Sequence, residues 1–305
     1  MDEKQNTDWR IARLLLTLVA MVVSNGSPAS EWTLVWQDEF DYTGLPDSRK
    51  WNYEEGYIRN SELQTYTRDR RNARVEEGVL VIEAHQLGRT DANVCTSGNR
   101  LIQWWCRKTG REKGAFHYSS ASLTTQSRFE WTHGRVEVRA KLPQGRGVWP
   151  AIWLLGASIE EVGWPATGEI DIMEFVGYQP DRIHAALHTE SRNHRKGNAA
   201  TGSLPVTDTG TMFHTYAVEW SNGSIDFYFD DQKYFSYQKE GNSSADWPFD
   251  DSMYLIINLA VGGGWGGKEG IDHSIFPQQY LIDFVRIYQH KLTAEVRRPK
   301  DMAKH

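Results

Sequence analysis

Apolar and polar side chains alternate with a period of two in almost every patterned segment of this chain. Leu80 to Ala84, Gly134 to Ala140, Tyr216 to Trp220, Ile225 to Phe229 and Tyr254 to Leu259 read as β-strands. Asn222-Gly223, between the third and fourth of these, is the dipeptide of a tight hairpin turn. No long stretch carries a helical period. Short strands with glycine-rich punctuation point to an all-β fold, a sandwich or a barrel. A length of 305 residues allows one domain or two. No Pro/Ser-rich linker divides the middle and no internal repeat is present, so a single domain is expected.

One strand-like segment is unusual. Gly168-Glu169-Ile170-Asp171-Ile172-Met173-Glu174 sets three carboxylates among large apolar spacers. Such spacers belong on a buried strand, where neighbouring carboxylates are costly unless they serve chemistry. The spacing alone also suits a structural acidic strand or a calcium site. The flanks favour chemistry: Pro165 and Gly168 turn the chain into the strand, and Trp149, Trp153 and Trp164 lie just upstream. Two acids facing each other across a sugar are what glycosidic bond cleavage requires. In a regular strand Glu169, Asp171 and Met173 share one face and Glu174 takes the other. For both glutamates to act on one bond, a β-bulge must absorb an extra residue near Ile172-Met173. The glutamate Cα atoms are then roughly 13 Å apart. Side chains leaning together bring the carboxyls to about 5–6 Å, the spacing of a retaining enzyme, against about 9 Å for an inverting one.

Trp149-Pro150-Ala151-Ile152-Trp153-Leu154-Leu155, followed by Trp164-Pro165-Ala166-Thr167 and the acid segment, resembles glycoside hydrolase family 16. The nearest likeness is to its laminarinase-like endo-β-1,3-glucanases. Asn60-Ser61-Glu62-Leu63-Gln64, His184-Ala185-Ala186-Leu187-His188-Thr189 and Gly262-Gly263-Gly264-Trp265-Gly266-Gly267 carry it further, from about Trp36 to about Tyr288.

The resemblance implies a jelly-roll β-sandwich of two antiparallel sheets whose concave face is an open cleft. It implies a retaining, endo-acting hydrolase of β-1,3 or mixed β-1,3/1,4 glucan. Glu169 would be the nucleophile and Glu174 the acid and base. Asp171 would share a hydrogen bond with Glu169 and tune its charge. His188 would line the cleft, with His184 packed beside it; satisfied core histidines and a zinc pair are the other readings. Trp265 would be a stacking platform, and Trp149, Trp153 and Trp164 cleft residues, with inter-sheet packing the other reading for the first two. Asn60 would bind a sugar hydroxyl or cap a turn. The glycine run would let backbone approach a ligand. No cofactor enters the chemistry. A structural calcium far from the cleft would involve Glu39, Gly78 and Asp283.

Three competitors share the scaffold: a non-catalytic β-glucan-binding protein, a transglycosylase, and a hydrolase for agar, carrageenan or xyloglucan. The paired glutamates oppose the first. Few basic residues flank the acids closely, which opposes a sulfated substrate.

The net charge of −6 argues against nucleic acid or an anionic membrane as partner. The 13 tryptophans call for both core and sugar-stacking roles. At the start, Arg10 and Arg13 precede a ten-residue apolar run, Leu14 to Val23, and Ser27-Pro28-Ala29 suits cleavage. Residues 1–29 are therefore expected to be a signal peptide and residues 30–305 one secreted catalytic domain, core about 34–290, acting as a monomer. Cys95 and Cys106 could close a loop as a disulfide or stay free. Trp104 and Trp105, within Gly88 to Phe116, either pin that loop or extend the sugar site. Asn222-Gly223-Ser224 and Asn242-Ser243-Ser244 match glycosylation acceptors.

Overall fold

The computed structural model describes residues 32–89 and 116–291. The expected signal segment, both cysteines and the Trp104-Trp105 pair lie outside the described residues.

Seven strands form the smaller sheet: β2 (Asn52–Glu54), β7 (Ser122–Thr124), β9 (Val148–Gly156), β10 (Glu169–Glu174), β11 (Arg182–His188), β12 (Ala200–Pro205) and β16 (Met253–Val261). Their spatial order is β12-β11-β10-β9-β16-β7-β2, antiparallel throughout. Ten strands form the larger sheet: β1 (Trp32–Asp38), β3 (Gln64–Tyr66), β4 (Ala73–Glu76), β5 (Val79–Arg89), β6 (Phe116–Ser120), β8 (Gly134–Lys141), β13 (His214–Trp220), β14 (Ser224–Phe229), β15 (Gln232–Gln238) and β17 (Gln278–His290). One pair departs from the expected antiparallel rule: β3 runs parallel to β6. The only described α-helix, α1 (Ile159–Val162), is a single turn between β9 and β10. All five segments read as strands are strands, and Asn222-Gly223 does join β13 to β14.

The alternation sorts side chains between core and groove. From the small sheet, Ile152, Leu154, Ile170, Ile172, Met173, Leu255, Ile257 and Leu259 enter the core between the sheets. They meet Val136, Val138, Val218, Phe227, Ile282 and Val285 of the large one. Trp51, Trp131 and Trp220 are fully buried, which accounts for part of the tryptophan excess. On the opposite face of the small sheet a second apolar cluster gathers Ala151, Trp153, Leu155, Tyr254 and Ile256, with Ile159 and Trp164 packed against it.

β10 is not regular. Asp171 pairs with Trp153, but Met173 pairs with Ile152, so one residue is surplus on β10. The β11 side shows the same shift between Asp171 and Glu174. Ile172 and Met173 consequently both point into the core, at 1% and 0% exposure. Burying two such side chains contributes roughly 1.5–3 kcal/mol each, which offsets the roughly 1 kcal/mol of a disturbed ladder hydrogen bond.

The three positions marked for calcium meet on one edge of β17. Asp38 pairs with Val285 and Leu80 with Ile282, which brings Glu39 and Gly78 toward Asp283. Both carboxylate oxygens of Glu39 accept from Arg286 at 2.8 Å. Asp283 Oδ2 is ion-paired with Arg139. What remains for a hard cation is Asp283 Oδ1 and backbone carbonyls, a weakly charged donor set.

Candidate active site

The bulge decides which way the acids point. Glu169, Asp171 and Glu174 all face the second apolar cluster's side of the sheet, and all three line one groove. Its larger segment, about 480 Å³, is bounded by Asn60, Trp149, Glu169, Glu174, His184, His188, Thr201 and Trp265 among others. A narrower segment continues past the acids between Arg59, Glu62, Trp153 and Asn258.

Each acid has its own support. Trp164 Nε1 donates to Glu169 Oε2 at 3.0 Å, and Trp149 Nε1 donates to Glu174 Oε1 at 3.1 Å. His188, directly opposite Glu169 across the β10–β11 ladder, brings Nε2 to 3.6 Å from Glu169 Oε1 and 3.3 Å from Asp171 Oδ2. Both carboxylates reach His188, which stands between them. The alignment at Asp171 Oδ2 satisfies an ion pair but not a hydrogen bond.

Burial dominates the electrostatics. It pushes the Glu169 carboxyl up to about 8, with the charge of Asp171 adding to the rise and His188, Trp164 and Arg59 opposing it. Burial also raises Asp171. Glu174 is raised well above the usual range, by burial and then by the charges of Asp171 and Glu169. Three carboxyls in so dry a site cannot all be ionised at neutral pH.

The tryptophans divide in a way the sequence did not reveal. Trp265 and Trp149 meet edge to face at 5.7 Å on one groove wall, and His184 stands edge-on to Trp265 at 5.0 Å. Trp153 faces the groove but is only 7% exposed, because the Arg59 guanidinium lies 4.8 Å above its ring. Arg59 is held there by an ion pair with Glu54. Trp164 is likewise covered, by His194 at 4.9 Å and Arg195 at 4.3 Å. Trp153 thus lines the groove beneath Arg59, and half-buried Trp164 packs under His194 and Arg195 with its Nε1 on Glu169. Among the described residues, His184 belongs to no converging group of three or more metal-ligating side chains.

Asn60 reaches the groove from a left-handed turn, φ 54° at both Asn60 and Ser61. Its side chain donates to Glu62 Oε1 at 3.2 Å and its carbonyl accepts from Gly264 N at 3.0 Å. The glycine run serves close packing. A Cβ on Gly266 would stand 2.6 Å from the Gly262 carbonyl oxygen and 2.7 Å from Trp149 Cβ. The backbone here approaches Trp149 rather than only a ligand, so glycine fixes the wall that orients Glu174.

Four groove residues carried no role in the sequence reading. Glu62 accepts from Asn60, Gln64 and Tyr66 and is raised by its burial, with Arg59 opposing. Asn258 accepts from Trp153 Nε1 at 2.8 Å and donates to Tyr66 OH at 2.9 Å. Its signal was visible as the lone amide in the apolar run Tyr254 to Leu259. Arg59 and His194 had no local signal, since one reaches the groove from a bend and the other from a short 3-10 helix, His194–Lys196.

Residues 64–286 match the family model described as glycosyl hydrolases family 16. A beta-glucanase of Rhodothermus marinus is 44% identical over 293 residues, covering 92% of this chain and 94% of that protein. The X-ray structure of the laminarinase from Rhodothermus marinus superposes with a TM-score of 0.72 at 42% identity, covering 85% of this chain and 97% of that one. A mutant of SCLam, a non-specific endo-beta-1,3(4)-glucanase co-crystallized with 1,3-beta-D-cellotriosyl-glucose, superposes at 0.73 with 38% identity, covering 86% and 96%.

Proposed function

The chain belongs to glycosyl hydrolases family 16, and from that premise we propose that it is an endo-acting β-glucanase. It cuts β-1,3 bonds, or β-1,3/1,4 bonds in mixed glucan, with retention of configuration. The observation that carries this reading is the bulge at Ile172-Met173, which turns Glu174 to the groove beside Glu169.

The chemistry follows from the unequal surroundings. Glu174 is raised by its burial and by the charges of both other carboxylates, so it holds a proton to give. Glu169 has Trp164 and His188 to support its charge, so it is the acid that ionises for attack. Glu169 attacks the anomeric carbon while Glu174 protonates the departing glycosidic oxygen. The ionised Glu174 then takes a proton from water, whose oxygen displaces Glu169 from the sugar. Asp171 and His188 share the charge behind the nucleophile. Trp265, Trp149 and Asn60 line the wall along which the glucan lies.

Incubation with laminarin, lichenan and curdlan, followed by sizing of products, tests the reading. Early release of mixed oligosaccharides is expected; release of glucose alone, or of nothing, rejects it. NMR during hydrolysis should show the β-anomer first, and an initial α-anomer rejects retention.

The same reading takes residues 1–29 as an export signal and the mature enzyme as a secreted monomer. N-terminal sequencing of protein from the medium should begin at Ser30, and retention of Met1 rejects the signal. It also keeps a structural calcium beside Asp283 Oδ1 and the backbone of Glu39 and Gly78, with no part in catalysis.

A further inference from the structure

Three donor atoms of different chemistry converge beside the glutamates. His188 Nε2 stands 3.6 Å from Glu169 Oε1 and 3.3 Å from Asp171 Oδ2. All three lie within 4.8 Å of one another. Around a tetrahedral zinc ion with metal–donor bonds of about 2.0–2.2 Å, neighbouring donors stand about 3.4 Å apart. Two edges of that tetrahedron are already present, and a small swing of the Glu169 carboxyl closes the third. The orientation is built in: Trp164 Nε1 holds Oε2, which leaves Oε1 as the oxygen turned to His188. Asp171 is 4% exposed, and its Oδ2 accepts no hydrogen bond. A buried carboxylate oxygen without a donor is a costly vacancy in the bonding. All three residues line the groove.

We propose that Glu169 Oε1, Asp171 Oδ2 and His188 Nε2 form an inhibitory site for a late first-row divalent cation of the zinc and copper class. One imidazole with two carboxylates discriminates against calcium and magnesium, which prefer more ligands, all of them oxygen. His188 Nδ1 is buried with no acceptor. A ligating histidine ordinarily donates from its other nitrogen, and loss of that support weakens a site roughly 10–100-fold. The site is therefore reversible rather than structural. A cation there ties up the lone pair that Glu169 uses for attack, so metal and glucan exclude each other. Inhibition rests on the proposed role of Glu169; binding of the ion does not.

The test is calorimetric titration of the untagged protein with zinc chloride in chelator-free buffer. Cobalt(II) serves as a parallel probe through its visible absorption. One ion per chain is expected, with affinity falling at least tenfold in each of His188→Gln, Asp171→Asn and Glu169→Gln. Bound laminari-oligosaccharide should weaken zinc binding in the wild type. Absence of binding at millimolar zinc overturns the proposal. So does affinity unchanged in all three variants, which would place the ion elsewhere. Circular dichroism identifies any variant that fails to fold, and the remaining isosteric ones then decide. Laminarin hydrolysis before any metal is added is read separately; its failure would reject the glucanase reading and leave the ion-binding result standing.

Discussion

Glu169 owes its raised carboxyl chiefly to burial, while the indole N–H of Trp164 supports its charge. Glu169→Gln is expected to abolish turnover while oligosaccharide affinity stays within a few-fold, measured by calorimetry. Trp164→Phe keeps the ring under His194 and Arg195 but removes the N–H on Oε2. A hydrogen bond to a charged group is worth about 1.5–3 kcal/mol, so kcat should fall roughly 10–100-fold with KM little changed. The raised Glu169 carboxyl also makes a stability prediction. Its folded value, about 8, lies above the ordinary 4.5 of the unfolded chain. The folded state thus binds this proton more tightly, and the benefit is complete below pH 4.5 and lost as pH rises through 8. Glu169→Gln, always neutral, should therefore match the wild-type Tm in acid and exceed it by several degrees at pH 9. Equal Tm values at both pH extremes would contradict this. The carboxylates and the need to bring both glutamates to one side were readable from residue types. The covering of Trp153 by Arg59 and of Trp164 by His194 was not, because those contacts join residues with no pattern in common.

β10 differs from an ordinary strand by one residue, and that residue can be added to or removed. An alanine inserted after Met173 rotates Glu174 toward the core, where Ile172 and Met173 now pack. Turnover should vanish, and Tm should fall because a carboxylate is driven inward. Deletion of Met173 restores strict alternation, in which Glu169, Asp171 and Glu174 still share the groove face. That variant should keep measurable hydrolysis of laminarin. Equal inactivity of both variants would show that strand register is not what aims the acids. Period-two patterning made the strands legible, including the need for a surplus residue near Ile172-Met173. The parallel β3–β6 pair was not legible, since Gln64–Tyr66 is too short to carry a pattern and its partner is remote in sequence.

Across the whole molecule, two sheets and a groove were foreseeable from alternation and from family likeness. The edge proposed for calcium was foreseeable only as a set of positions. Strand pairing brings Glu39, Gly78 and Asp283 together, yet arginines hold both carboxylates. If an ion is held there, EGTA should lower Tm by a few degrees and added calcium should restore it. An unchanged Tm removes the ion from the account. The groove itself changes character along its length. A pyranose ring laid against Trp149 and Trp265 would meet aromatic carbon, whose hold does not depend on which hydroxyls the sugar bears. At Trp153 it would meet a guanidinium already balanced by Glu54. Such a stretch would read the oxygen pattern of the ring, and a neutralised charge would do so with little response to ionic strength. Chain-length preference and sugar identity should thus be separable traits, one seated at each end of the trench.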